Sequence, residues 1–247
     1  MSQPVALITG AAKRLGANTA LHLHELGFTV IIHCNQSIEH ANALAQRLND
    51  IRDNSAFVIQ ADLSDITKIN DIVQSMSQRF AKLDVLINNA SSFYPTPLTS
   101  LTPEQYHDLI ATNMTAPLFL TKACTALLKA AQGVVINMCD IHATRPLEHH
   151  SAYCMAKAGQ QMMTYALANE LAPEIRVNGV APGAIEWPNN GIDGEAIEEV
   201  LKSIPLQRKG HMNDIAQAIE YLISAPYVTG QILTIDGGRQ QVASKGA

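Results

Sequence analysis

The sequence predicts an α/β protein built on a single doubly wound parallel sheet, and three observations predict it. Short β-branched runs alternate with longer amphipathic stretches along the chain, the pattern of repeated βα units. The runs ALI, VII and VVI are apolar at both alternating positions, as strands covered by helices on both faces are. No Pro/Gly/Ser linker and no low-complexity tract divides the 247 residues, a length that one α/β domain commonly reaches. One domain over 1–247 is therefore expected.

Taken in order, the strands are expected at Val5–Thr9, Thr29–His33, Ala56–Gln60, Val85–Asn88, Val134–Met138, Arg176–Val180 and Ile232–Ile235. Seven strands make one seven-stranded sheet. Helical patterns lie between them over 14–26, 38–52, 65–80, 103–131, 151–171 and 213–224, each a crossover able to cover a sheet face. Thr102 before Pro103 and Glu104 is a well-formed helix start, with the threonine as N-cap and proline at the first helical position. Ser64 with Asp65 forms a second start signal. Residues 182–200, PGAIEWPNNGIDGEAIEEV, are turn-rich at their beginning and follow the sixth strand. Ligands of open parallel sheets bind beyond the carboxyl ends of the strands, so this stretch is expected to be a loop covering a site.

Composition excludes several function classes. Seventeen Lys plus Arg against twenty-two Asp plus Glu leave a net charge of −5, and only 5% of residues are aromatic. Neither a polyanionic partner nor a base-stacking platform is suggested, so nucleic acid is not an expected ligand. Cys34, Cys124, Cys139 and Cys154 contain no C-x-x-C pair and fall in or beside apolar segments, which reads as reduced, buried thiols. The opening MSQPVALITG has no basic region before its short apolar run, so no signal peptide is expected. No apolar run reaches the roughly 18 residues of a membrane span, and the expected location is cytoplasmic.

The first chemical motif, TGAAKRLG at 9–16, joins the first strand to the first helix. Gly10 and Gly16 let backbone approach a pyrophosphate, whose charge the free N–H groups of a helix N-terminus stabilise. This makes the fold Rossmann-type. An Asp or Glu at the end of the second strand would bind ribose hydroxyls and repel a 2′-phosphate. The run there is His33, Cys34, Asn35, Gln36 and Ser37, the first carboxylate is Glu39, and Lys13 and Arg14 add positive charge in the glycine loop. NADP(H) is expected rather than NAD(H).

The second motif is SAYCMAKAG at 151–159. Tyr153 and Lys157, four residues apart, share one helix face. A phenol has a pKa near 10 and works poorly as an acid or base at neutral pH unless a neighbouring ammonium favours the phenolate. Lys157 is the expected source of that charge.

These residues resemble the short-chain dehydrogenase/reductase family over essentially the whole chain. The matching motifs are TG-x-x-x-x-x-G at 9–16, Asp62 after the third strand, NNA at 88–90, Asn113, Tyr153 with Lys157, Pro182-Gly183 and Asp236-Gly237-Gly238. Two departures sharpen the match. Asp140 stands thirteen positions before Tyr153, where most members carry serine, and Ser91, Ser92, Phe93 and Tyr94 follow NNA in place of glycine. Both are similar to the pteridine reductase branch, which implies NADPH-dependent reduction of pterins and, in some members, folates.

In the terms of that resemblance, Asp140 and Tyr153 form the proton-delivering pair, Lys157 holds the nicotinamide ribose, and Asn113 links the relay to water. Phe93 stacks the pterin, and Arg14 and Ser91 contact substrate or cofactor phosphate. His33 and Ser37 help hold the 2′-phosphate, with Asn35 beside them. Asp62 and Leu63 meet adenine. Leu15, Asn89, Ala90, Pro182 and Gly183 complete the cofactor cleft. A homotetramer is implied as well.

The serine replacement suits ring chemistry, because a pterin nitrogen can use both a hydrogen-bond acceptor and a proton donor, and a carboxyl group offers both. A carbonyl or 3-oxoacyl-thioester reductase, which serine at 140 and glycine at 91 would have favoured, is the alternative, and a non-catalytic NADP(H)-binding regulator a third. No metal is expected: His22 and His24 are two apart on a helix and face different directions. His149 and His150 are expected to be exposed loop histidines, and Trp187 either touches substrate or anchors its loop.

Overall fold

In the computed structural model, which describes residues 3–187 and 194–241, the alternation becomes seven parallel strands in the order β3-β2-β1-β4-β5-β6-β7. The strands are β1 (Val5–Ile8), β2 (Thr29–Cys34), β3 (Ala56–Gln60), β4 (Val85–Asn88), β5 (Val134–Met138), β6 (Arg176–Pro182) and β7 (Ile232–Ile235). The helices are α1 (Arg14–Glu25), α2 (Ile38–Ile51), α3 (Ile66–Ser77), α4 (Pro103–Ile110), α5 (Ala116–Ala131), α6 (Ser151–Glu170), α7 (Gly194–Lys202) and α8 (Met212–Ser224). This is the doubly wound α/β class that the sequence predicts.

The two-residue period of a strand explains the two cores. Ala6 and Ile8 of β1 pack into one cluster with residues of α1, α2 and α8, while Val5 and Leu7 pack into the other with α3, α5 and α6. Fully burying a side chain of the size of Val5, Leu7 or Ile8 contributes about 1.5–3 kcal/mol. Since both faces of β1 are covered, polar residues have no place along it, which is why the strand lacks alternation. The order reverses at β1, whose neighbours are β2 and β4, and the crevice at that switch point is where a ligand of such a sheet binds.

Two elements differ from the sequence reading. The pattern over 103–131 is α4 and α5 joined by a π turn at Ala111–Thr115. Pro117 has no N–H, so the carbonyl of Asn113 loses its α-helical donor four residues on, and the helix widens there. The stretch 182–200 runs at its end into a helix, Gly194–Lys202; Ile197, Val200 and Leu201 recur at i, i+3 and i+4, a signal obscured by the turn residues before it. The remaining part of that loop, 188–193, lies outside the described residues. None of the described helices is long and apolar enough to cross a membrane.

Candidate active site

The glycine loop is held by side chains of the neighbouring strands. Gly10 takes φ +62°, which a side-chain-free residue adopts without strain, and a Cβ there would lie 2.9 Å from the Ala90 Cα. A Cβ on Gly16 would lie 2.5 Å from the Gly10 carbonyl oxygen. Thr9 ties the loop to NNA: its hydroxyl accepts from the Asn89 and Ala90 amides, each at 2.9 Å, and the Asn89 amide group donates to the Thr9 carbonyl at 2.8 Å. Neither Thr9 nor the clip made by Asn89 is evident from motif spacing. A signal is present all the same, since a polar residue closing the apolar strand VALI requires a partner.

Over this loop opens a cleft of about 680 Å³. Of the expected cofactor residues it is lined by Gly10, Arg14, Leu15, Gly16, His33, Asn35, Asp62, Leu63, Asn89, Ala90, Ser91, Pro182 and Gly183. Ser37 lines an adjoining recess of about 270 Å³ beyond β2 together with Lys13, Asn35 and Gln36, with no carboxylate among its walls. The α1 N-cap, Lys13, makes no side-chain capping bond, which leaves the first N–H groups of that helix for an anion. Size, free amides and the absence of a carboxylate at the β2 end fit NADP(H).

Two expected phosphate partners are committed elsewhere. His33 is 2% exposed; the Gly10 amide donates to its Nδ1 at 3.2 Å, and its Nε2 meets the Ala61 carbonyl at 3.1 Å. Burial lowers its pKa to about 4, outweighing the Ala61 bond and the Asp62 charge. A neutral imidazole with both nitrogens used braces the glycine loop and offers no positive charge to a 2′-phosphate. Arg14, held at φ +51°, pairs through Nε with Glu186 at 2.6 Å and through Nη2 with the Trp187 carbonyl at 3.4 Å. The guanidinium thus meets a carboxylate from the opposite wall of the cleft, and the sequence offers no sign of a partner 172 positions away.

At the carboxyl ends of β4 and β5 the expected catalytic residues converge. The Tyr153 hydroxyl donates to Asp140 Oδ2 at 2.7 Å, and Asp140 Oδ1 accepts from the His142 amide at 2.8 Å. That second bond caps the short 3₁₀ turn Ile141–Ala143 and aims the carboxylate. Asn113 sits in the π turn, fully buried; its Nδ2 donates to the carbonyls of Ser92 and Leu109, each at 2.9 Å, and its Oδ1 accepts from the Ser91 hydroxyl at 2.6 Å.

Lys157 corrects an expectation. Its Nζ is buried and donates to the Met138 carbonyl at 2.7 Å and to Gln160 Oε1 at 3.1 Å. Burial draws the ammonium below its ordinary value, against the charge of Asp140. The Tyr153 phenol is not drawn down; burial and then the Asp140 carboxylate push it well above 10, with Ser91 pulling the other way. A carboxylate in direct hydrogen-bond contact outweighs an ammonium that is 5.8 Å from the ring centroid and has other acceptors.

Phe93 is 49% exposed and meets Tyr153 edge-on, the centroids 4.9 Å apart at 76°. Its ring also stacks on His150 at 4.8 Å and 16°, so His150 belongs to the rim of the site. His149 takes φ +59°, and its carbonyl accepts from the Thr96 amide at 2.6 Å. Beneath the site, Asn88 donates to Asn137 Oδ1 at 2.8 Å, and Asn137 donates to the Thr164 hydroxyl at 2.9 Å. Asn137 and Thr164, which no motif marks, are a buried polar ladder supporting the ends of β4 and β5. No cluster of three metal-ligating side chains occurs among the described residues.

A family model described as enoyl-(acyl carrier protein) reductase matches residues 10–240, spanning the glycine loop, Tyr153 with Lys157 and the last strand. The chain belongs to the short-chain dehydrogenase/reductase family. As a family member it is an NADPH-dependent oxidoreductase with NADP(H) as cofactor. Pteridine reductase 1 of Leishmania tarentolae is 35% identical, over 95% of this chain and 96% of its own. The ketoacyl reductase 2 of the granaticin polyketide synthase of Streptomyces violaceoruber is 33% identical over 95% of each chain. The 3-oxoacyl-(acyl-carrier-protein) reductase FabG of Staphylococcus aureus is 32% identical, over 94% of this chain and 96% of its own.

Proposed function

We propose that this reductase acts on pterins, reducing dihydropterins, and dihydrofolate or folate, to their tetrahydro forms. The observation that carries the reading is the Tyr153–Asp140 hydrogen bond of 2.7 Å with Phe93 edge-on against the same phenol. A carbonyl substrate needs one hydroxyl donor at its oxygen, whereas a pterin ring nitrogen is served by a carboxyl and phenol that share a proton. The aromatic face of Phe93 suits a flat bicyclic ring.

When bound, NADPH supplies the hydride. Gly10, Gly16 and the start of α1 would hold the pyrophosphate, the recess of Lys13, Asn35 and Ser37 the 2′-phosphate, and Asp62 and Leu63 the adenine. Lys157 has a third N–H beyond its bonds to Met138 and Gln160, which would hold the nicotinamide ribose. Burial and Asp140 both oppose the phenolate of Tyr153, so the phenol holds its proton and releases it through Asp140 only once hydride addition leaves negative charge, and hence strong basicity, on the substrate nitrogen. Asn113 and Ser91 orient the phenol and connect it to solvent. Ser91 and Arg14 border the substrate, and residues 183–187, directly after β6, cover it. Exposed Leu118, Met155 and Met162 on α5 and α6 are apolar surface that a homotetramer would bury.

A 3-oxoacyl-thioester reductase is the second reading, supported by the 32–33% identity to ketoacyl reductases. NADPH oxidation by the purified protein separates the two. Turnover of dihydropterin or dihydrofolate, with NADPH preferred over NADH, is expected; turnover of the oxoacyl thioester alone would overturn the pterin reading.

A further inference from the structure

Two arginines that the mechanism does not use meet above the carboxyl ends of β5 and β7. Arg145 follows the 3₁₀ turn that begins at Asp140, and its amide donates back to the Ile141 carbonyl at 2.9 Å. Its Nη1 donates to the carbonyl of Arg239, the residue directly after Asp236-Gly237-Gly238. Arg239 Nε donates to the Ser203 hydroxyl at 3.0 Å. Gln240 bonds the Thr144 hydroxyl and accepts from Thr234 at 3.2 Å, which laces the two segments together.

The neighbouring carboxylates are already taken. Asp236 accepts from the Gly238 and Gln240 amides at 2.8 and 2.5 Å, and Asp140 accepts from the His142 amide and Tyr153. Among the described residues, neither guanidinium has a carboxylate oxygen within 4.0 Å. Burial and the charge of Arg145 both disfavour the Arg239 cation, while Asp140 and Asp236 favour it. Arginine nevertheless stays charged. Two half-buried cations beside a reaction centre, with N–H groups left over, create a strong preference for an oxyanion, which the planar guanidinium fork matches in shape.

We propose that Arg145 and Arg239 form an oxyanion subsite next to Asp140 that receives the anionic tail, carboxylate or phosphate, of the substrate whose ring lies against Tyr153. The inference rests on the pterin reading for its substrate and deepens it, because it favours ring systems with an acidic tail over neutral ones. Were the arginines purely structural staples, replacing either would instead lower stability and affect all substrates alike.

The test compares dihydrofolate, whose glutamate carries two carboxylates, with a neutral dihydropterin in the native protein and in Arg239→Gln and Arg145→Gln. The ratio of kcat/KM for dihydrofolate to that for the neutral pterin is expected to fall about tenfold for each charge-assisted hydrogen bond removed, with Arg239→Lys recovering part of it. An unchanged ratio, or a parallel decrease for both substrates with a lowered melting temperature, overturns the subsite. Calorimetry with p-aminobenzoyl-glutamate and, separately, inorganic phosphate reads the subsite without a pterin ring. Binding to the native protein that weakens in Arg239→Gln supports it, and the probe that binds identifies the source of the anion. No binding of either, or equal binding to both proteins, overturns it. If neither pterin is turned over, the pterin reading fails by itself, and calorimetry still decides the subsite.

Discussion

The two halves of the crevice use their side chains in opposite ways. On the cofactor side, between β1 and β3, charged and titratable side chains are engaged with the protein: His33 braces Gly10 and Ala61, and Arg14 meets Glu186. What stays free there for a dinucleotide is the backbone of the glycine loop and the recess beyond β2, which has no carboxylate among its walls. On the reaction side, at the ends of β4 and β5, the polar side chains are engaged with one another, Ser91 with Asn113 and Tyr153 with Asp140. The difference teaches that a constant ligand such as a dinucleotide can be met by backbone shape, whereas proton transfer needs side-chain atoms held at hydrogen-bond distance.

Tyr153→Phe is the sharpest way to break this comparison. Removing the proton donor is expected to lower kcat by about 10²- to 10⁴-fold while NADPH binding, followed by fluorescence titration, stays near native. Retained turnover would sink the assignment of Tyr153 as the acid.

His33 tests the cofactor side through pH. Its pKa falls from 6.5 to about 4 on folding, so the folded state disfavours its protonation. The stabilisation is present above pH 6.5 and is lost as pH drops through 4, a change of about 3 kcal/mol. Denaturant titrations from pH 7 to pH 4 are expected to show this acid limb in the native protein and a flatter one in His33→Gln. Equal limbs in both would remove His33 from its bracing role.

Gly10→Ala carries the smallest of the three effects. The left-handed φ and the approach to Ala90 make the added methyl costly by about 1–2 kcal/mol, read as NADPH affinity roughly tenfold weaker. Single-turnover hydride transfer at saturating NADPH is expected to remain near native, since Tyr153 and Asp140 lie across the crevice. A slowing of that step as large as the drop in affinity would show that the two halves are not independent.

Much of this is legible in the residue order. The strands lie where the apolar β-branched runs are, the glycine loop opens α1, and Tyr153 and Asp140 meet although thirteen positions apart. The less legible features depend on segments distant in sequence. Nothing in PGAIEW marks Glu186 as the partner of Arg14, and HCNQS gives no hint that His33 turns inward with both nitrogens occupied. The π turn at Asn113 is readable from Pro117 in principle, but helical periodicity over 103–131 is indifferent to one widened turn. Lys157 misleads for a related reason: adjacency on a helix face places an ammonium near a phenol, yet its hydrogen bonds go to Met138 and Gln160, which arrive from β5 and the next helical turn.

By itself, the sequence determined the βα alternation, the doubly wound sheet, the glycine loop and the placing of Tyr153 and Lys157 on one helix face, because periodicity and turn chemistry are local properties of the chain. Only the tertiary structure decided which of those groups are charged and which atoms they face. Burial and partner choice set protonation and direction, and both arise from segments that the fold brings together from opposite ends of the chain.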